Sequence, residues 1–212
     1  MKHIFVYGDS LTWGIIPMTR SRFPFDRRWP GVLEAALLRA GRAVRISENC
    51  LNGRRTVWDD PYKQGRNGLI GLEQLMEIHS PLDLVIIMLG SNDFQSMHHY
   101  TAWHSAQGVA ALIDAIRAAP IEPGMPLPEI LVIAPPRANN PRGPVAPKFR
   151  GAEEKSVGLN AAFAEMCRTL HCPFFAAEDV ITASKVDGVH LDEDQHAALG
   201  AALAPVVAGI FG

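Results

Sequence analysis

His3-Ile-Phe-Val-Tyr-Gly-Asp-Ser-Leu-Thr-Trp-Gly14 is the stretch that decides the fold. Residues 3–7 are apolar and β-rich, and they run without a break into Gly8-Asp9-Ser10, a turn sequence that also suits a helix start. A short strand that empties directly into a helix is the opening of a strand-helix alternation. Working outward, similar short runs recur at 43–48, 83–89, 129–134 and 173–177. The runs at 83–89 and 129–134 are almost continuously apolar, which is the pattern of strands covered on both faces of a parallel sheet.

Helical spacing fills the gaps. Residues 30–40 carry Pro30 in the first turn and Gly41 as the stop. Three apolar stripes follow: Val109, Leu112, Ile113 and Ile116; then Leu159, Phe163, Met166 and Leu170; then Leu199, Leu203, Val206 and Ile210. Asp192, with Gln195 three residues on, resembles a capping box opening the last helix. With no repeat and no linker, residues 1–212 read as one α/β domain, a three-layer sandwich around a five-stranded parallel sheet.

At 212 residues, 48% hydrophobic and 20% charged, the chain has the composition of an ordinary globular enzyme. A formal net charge of −2 gives no reason to expect nucleic acid or an anionic membrane surface as partner. No apolar run approaches the ~18 residues of a membrane-spanning helix. Strand-like sequence from His3 onward leaves no room for a signal peptide. Cys50, Cys167 and Cys172 lack zinc-site spacing and read as free thiols in a reducing compartment, so a cytoplasmic location is expected.

Ligands of an open parallel sheet sit outside the carboxyl ends of its strands. Four turns carry chemistry to that rim: Ser10 after the first strand, Asn52-Gly53 after the second, Gly90-Ser91-Asn92-Asp93 after the third, and Asp187-Gly-Val-His190 after the fifth. A serine hydroxyl becomes a nucleophile when a base removes its proton, and the imidazole of His190 is a side chain of the kind that acts as such a base. Asp187, on the same short loop, can hold the other ring nitrogen. The backbone N–H groups of Ser10 and Gly53 and the side-chain amide of Asn92 are the candidate oxyanion donors. Trp13, Asp9, Arg54 and His98 are the candidate substrate contacts. Each also has a structural reading: Trp13 as core, Asp9 as a local backbone partner, Arg54 and Arg55 in salt bridges, His98 as a solvated side chain. Asp93 reads as a turn and scaffold residue, and Phe23, Phe25 and Trp29 as core. His98, His99 and His104 do not share one helical face and no carboxylate run accompanies them, so no metal or other cofactor is expected.

The four blocks, Gly8-Asp-Ser-Leu, a glycine after the second strand, Gly90-x-Asn-Asp and Asp187-x-x-His190, resemble in kind and in order those of the SGNH, or GDSL-type, hydrolase superfamily. Gly8-Asp-Ser-Leu-Thr-Trp-Gly14, Asp59-Asp-Pro61 and Pro81-Leu-Asp-Leu-Val-Ile-Ile-Met-Leu-Gly90 are similar to its bacterial arylesterase and acyltransferase branch. The resemblance implies a flavodoxin-like sheet of order 2-1-3-4-5 and metal-free hydrolysis of small carboxylic esters through an acyl-Ser10 intermediate. It also implies acyl transfer to alcohols or peroxide in some members, and a homo-oligomer. Two further readings remain: a carbohydrate O-deacetylase using the same residues, and a non-catalytic scaffold that keeps the fold. The loops at 17–30 and 135–149 are expected to shape the pocket, and an apolar channel between them would favour acyl transfer.

Overall fold

The computed structural model describes all of residues 1–212. In chain order it runs β1 (Lys2–Gly8), α1 (Ser10–Trp13), α2 (Trp29–Arg39), β2 (Val44–Cys50), α3 (Leu72–His79), β3 (Leu84–Met88) and α4 (Ala102–Ala118). There follow β4 (Glu129–Ala134), α5 (Ala152–Lys155), α6 (Leu159–Thr169), β5 (Phe174–Ala176) and α7 (Glu193–Ile210). The five strands form one sheet in the order β2-β1-β3-β4-β5, with every neighbouring pair parallel. This is the α/β arrangement and strand order that the resemblance implies.

The two-residue period of each strand sorts its side chains onto two faces. Phe5, Tyr7, Val85, Ile87 and Val132 pack against the layer that includes α4 and α6. Ile4, Val6, Leu84, Ile86, Leu131 and Ile133 pack against α2 and α7, where Leu33, Leu37, Leu199 and Leu203 meet them. Both faces are therefore buried, which is why β3 and β4 read as unbroken apolar runs. Trp29 is fully buried in the second cluster and Phe25 packs against it, while Phe23 meets the ring of His196 edge-on.

One local expectation is corrected. Asp192 does stand at the N-cap of α7, but its carboxylate accepts the Ser184 hydroxyl at 2.8 Å rather than a helix N–H. The Gln195 side chain accepts the Thr182 N–H at 2.9 Å. Both residues tie the helix start to the preceding loop instead of closing a capping box. Helix α3 was not foreseen, because only Leu72 and Met76 on it are buried and two anchors make no legible stripe.

Candidate active site

The carboxyl rim of the sheet is built turn by turn. β1 ends at Gly8, and Asp9 caps α1 by accepting the Leu11 N–H at 2.9 Å. Ser10 is thus the first residue of a helical turn, where backbone N–H groups lack intrahelical partners. Its side of the rim is joined to β2 by the Leu51 N–H, which donates to Gly8 O at 3.1 Å.

The loop before α7 holds Asp187 and His190 as one unit. Asp187 Oδ1 accepts the N–H groups of Val189 and His190, each at 2.9 Å, and Oδ2 lies 2.7 Å from His190 Nδ1. Burial raises the Asp187 carboxyl, but the His190 hydrogen bond and charge and the two backbone donors outweigh it. The net effect holds Asp187 below the usual carboxylate range. Gly188 makes this turn possible: its φ is +75°, and a Cβ there would fall 2.4 Å from Asn139 O. The 135–149 loop clamps the same turn from outside, with Asn139 N donating to Gly188 O and Arg142 N to Asp187 O.

Gly53 and Asn92 come from the ends of β2 and β3. Gly53 has φ +83°, and its N–H has no partner within the protein. The Asn92 amide is fully engaged: Nδ2 donates to Asp9 Oδ2 at 2.8 Å and to Arg54 O at 3.1 Å, while Oδ1 accepts from Gln95 Nε2 at 2.5 Å. Behind this pair lies Arg55, wholly buried and donating to Asp60 Oδ2 (3.0 Å), Gln95 Oε1 (2.5 Å), His98 Nε2 (2.7 Å) and Gly53 O (3.1 Å). A continuous polar chain thus runs from Asp60 through Arg55, Gln95 and Asn92 to Asp9. Asp93 faces away from the cavity and accepts from Thr56 N, Thr56 Oγ1 and Ser105 Oγ, which ties the turn to α4. Burial pushes both Asp9 and Asp93 up to about 6 despite their hydrogen bonds.

Ser10, Gly53, Asn92 and His190 all line one open cavity of about 230 Å³. Its other walls are Ile15, Arg20, Asn52, Lys63, Gln95, Pro144, Val145, Lys148 and Phe149. The four candidate substrate contacts are not among them, and each absence has a cause. Asp9 is fully buried, with one oxygen on Leu11 and the other on Asn92. Arg54 turns inward, its guanidinium 4.0 Å above the Tyr7 ring and bonded to Gly8 O and to Asn49. Trp13 lies beneath the Arg22 guanidinium at 4.7 Å, and His98 is held by Arg55 and stacks on Tyr100. His104 also packs on Tyr100. No three His, Cys, Asp or Glu side chains come together to hold a metal ion. Of the wall residues that sequence reasoning passed over, Gln95 carries a signal in hindsight, since it sits three residues after Asn92 in a tight turn. Lys148 and Phe149 lie at the end of one long loop already singled out and Arg20 lies in the other, whereas Lys63 has no sequence signal.

This sheet order and rim define an acylhydrolase of the GDSL type: the model of the GDSL-like lipase/acylhydrolase family matches residues 6–198, and the chain belongs to that family. Among solved structures it is similar to a carbohydrate acetylesterase from Sinorhizobium meliloti, at 36% identity and TM-score 0.93 over 100% of both chains. It is also similar to an inhibitor-bound aryl esterase from M. smegmatis, at 34% identity and TM-score 0.93 over 99% of this chain and 100% of the other. A putative arylesterase from Agrobacterium tumefaciens matches at 39% identity and TM-score 0.88, over 99% of this chain and 100% of the other. An arylesterase from Vibrio mimicus is 37% identical over 92 residues, 43% of this chain; the chain spans 38% of that relative's length.

Proposed function

We propose that the protein is a serine esterase that hydrolyses small carboxylic esters through an acyl-Ser10 intermediate. The observation that carries this is the gathering of Ser10, His190, Gly53 and Asn92 on one cavity, with His190 held by Asp187. His190 Nε2 takes the Ser10 proton as the hydroxyl oxygen attacks the ester carbonyl. The ring's other nitrogen keeps its proton on Asp187, which stabilises the imidazolium. The oxyanion is met by the Ser10 and Gly53 N–H groups and by Asn92. For Asn92 to serve, the amide hydrogen now on Arg54 O must turn to the oxyanion, which exchanges a neutral hydrogen bond for a charge-assisted one. The Asp9 bond keeps the amide aimed meanwhile. His190 then returns the proton to the leaving alkoxide, and a water deprotonated by the same nitrogen releases the acid and regenerates Ser10.

A cavity of about 230 Å³ suits small acyl and alcohol groups. Acyl transfer in place of hydrolysis would call for an apolar channel between the two long loops. Arg20 and Lys148, contributed by those loops, together with Lys63, make the walls polar instead, so hydrolysis is the favoured outcome. The second reading, removal of acyl groups from carbohydrate hydroxyls, is favoured by the full-length similarity to a carbohydrate acetylesterase and by the polar Asn52 and Gln95 in the walls. One compact α/β domain, three free cysteines and the absence of a membrane-crossing helix are compatible with a cytoplasmic enzyme. The family resemblance, with Tyr62, Ile70 and Ile78 exposed, supports a homo-oligomer.

The test is a panel of 4-nitrophenyl esters of increasing acyl length beside acetylated sugars, for wild type and Ser10→Ala. Turnover that peaks at short acyl chains and disappears in Ser10→Ala is expected. Folded wild-type protein that turns over none of these esters would overturn the proposal and leave the scaffold reading.

A further inference from the structure

The chain as a whole is slightly acidic, with a formal net charge of −2, yet the walls of the Ser10 cavity carry three cations and no carboxylate; Asp187, which lines the adjoining hollow with Arg20, is taken up by His190 and two backbone N–H groups. The cations come from three separated segments: Arg20 from the loop after α1, Lys63 from the loop after β2, and Lys148 from the loop after β4. None of the three side chains has a carboxylate within salt-bridge distance. Lys148 is the innermost. Its Nζ lies 4.0 Å from where a Cβ on Gly53 would stand. Asp60, whose charge acts on it, is committed on one oxygen to Arg55 and on the other to the Tyr62 N–H.

These cations repel one another across the cavity. Burial, opposed by Asp60 and reinforced by Arg55, Lys63 and Arg20, holds the Lys148 ammonium below the usual lysine range. Arg66 adds to the field: its side chain lies 3.8 Å from the same Gly53 position, and its guanidinium is bonded to backbone oxygens alone. Like charges gathered at a concave surface without a counter-ion raise the local concentration of anions and relax when one binds.

We infer that the cavity selects esters that carry a negative charge, a carboxylate on either the acyl or the alcohol side, with Lys148, Lys63 and Arg20 as the groups that receive it. This rests on the esterase reading and gives its substrate class. Short neutral esters are turned over because they fit, and anionic esters of the same size are the preferred substrates. A negatively charged product acid or alcohol would also inhibit competitively.

The experiment has a kinetic arm and a binding arm. In the first, kcat/KM is compared for an acetylated uronic acid against the matching acetylated neutral sugar, and for a hemisuccinate ester against the matching butyrate. At low salt at least one charged member is expected to exceed its neutral partner at least tenfold, and which one does so tells on which side the charge sits. The ratio should fall toward one in about 0.5 M NaCl, where the screening length drops below about 5 Å, and in Lys148→Met and in the double variant Arg20→Gln/Lys63→Gln. In the second arm, calorimetry with Ser10→Ala should show the charged ester binding at least tenfold more tightly than the neutral one. Equal binding overturns this inference whatever the turnover. A charge preference that Lys148→Met and the double variant leave intact overturns it too. Wild-type protein that hydrolyses neutral esters with no charge preference sinks the inference but not the esterase, whereas no hydrolysis of any ester sinks the esterase reading itself.

Discussion

Asp187→Asn is the substitution for which geometry and chemistry make the sharpest joint forecast. Asparagine keeps the shape, and its side-chain oxygen can still accept the Val189 and His190 N–H groups that hold the turn. What changes is the group facing His190 Nδ1, where a carboxylate oxygen at 2.7 Å becomes an amide that donates. A donor there leaves Nδ1 as acceptor and moves the ring proton to Nε2, the nitrogen that must take the Ser10 proton. Imidazolium formation also loses its counter-charge. A wrong-tautomer change of this kind lowers kcat by about 10⁴, which is ~5.5 kcal/mol of transition-state stabilisation. Losing the charge-assisted bond costs the fold about 1.5–3 kcal/mol. At this chain length that lowers the melting temperature by roughly 2–4 °C per kcal/mol. The assay is steady-state hydrolysis of 4-nitrophenyl acetate from pH 6 to 9, with a thermal melt of the same preparation. Because the fault is a tautomer and not a protonation, raising the pH should not restore activity. Turnover within tenfold of wild type would refute the assignment of Asp187.

Three other perturbations follow from the same structure. Gly188→Ala puts a methyl group 2.4 Å from Asn139 O at a φ of +75°; activity should fall at least tenfold and the melting temperature by several degrees, and an unchanged melt would mean the clamp on this turn is soft. Arg55→Met leaves the Asp60 carboxylate and Gln95 without their buried partner; urea unfolding should show a loss of about 3–5 kcal/mol, and a loss below about 1 kcal/mol would contradict the network. His196 is buried and its pKa is held down to about 4, by burial first and then by Arg28 and His190. Against an ordinary value of about 6.5, the unfolded state binds the extra proton, so the neutral ring contributes stability above pH 6.5 that is lost as pH falls to 4. The stability of wild type minus that of His196→Asn should therefore shrink by up to about 3 kcal/mol between pH 7 and 4; a difference that stays flat would refute the burial account.

The fold was legible wherever an element follows a local rule, which α3, with only Leu72 and Met76 buried, does not. β3 and β4 are buried on both faces, so their apolar runs needed no context, and β1 announced the site by ending in Gly8-Asp9-Ser10. The four rim turns were legible because Ser10, Gly53, Asn92 and His190 each follow a strand, and the topology of a parallel sheet carries all such turns to one edge. The side chains of the pocket wall were not. Trp13 and Arg54 are neighbours of Ser10 and Gly53 in sequence, but a turn that points one residue into the cavity points the next one away. Asp9 and Arg54 therefore ended up buried, and His98 was drawn off by Arg55. The wall is made instead by Arg20, Lys63 and Lys148, whose positions depend on how long loops fold back over the rim. Loop closure of that kind has no periodicity to read.

The central claim is that an acyl group is transferred to Ser10 and then to water. Its most direct measurement is intact-protein mass spectrometry after rapid mixing with excess 4-nitrophenyl acetate and acid quench, followed by peptide mapping. The account predicts an adduct of the acetyl mass on the peptide containing Ser10, with one equivalent of 4-nitrophenolate released in step with it and no adduct in Ser10→Ala. An acetyl group mapped to any other residue, or an adduct that survives in Ser10→Ala, would contradict it.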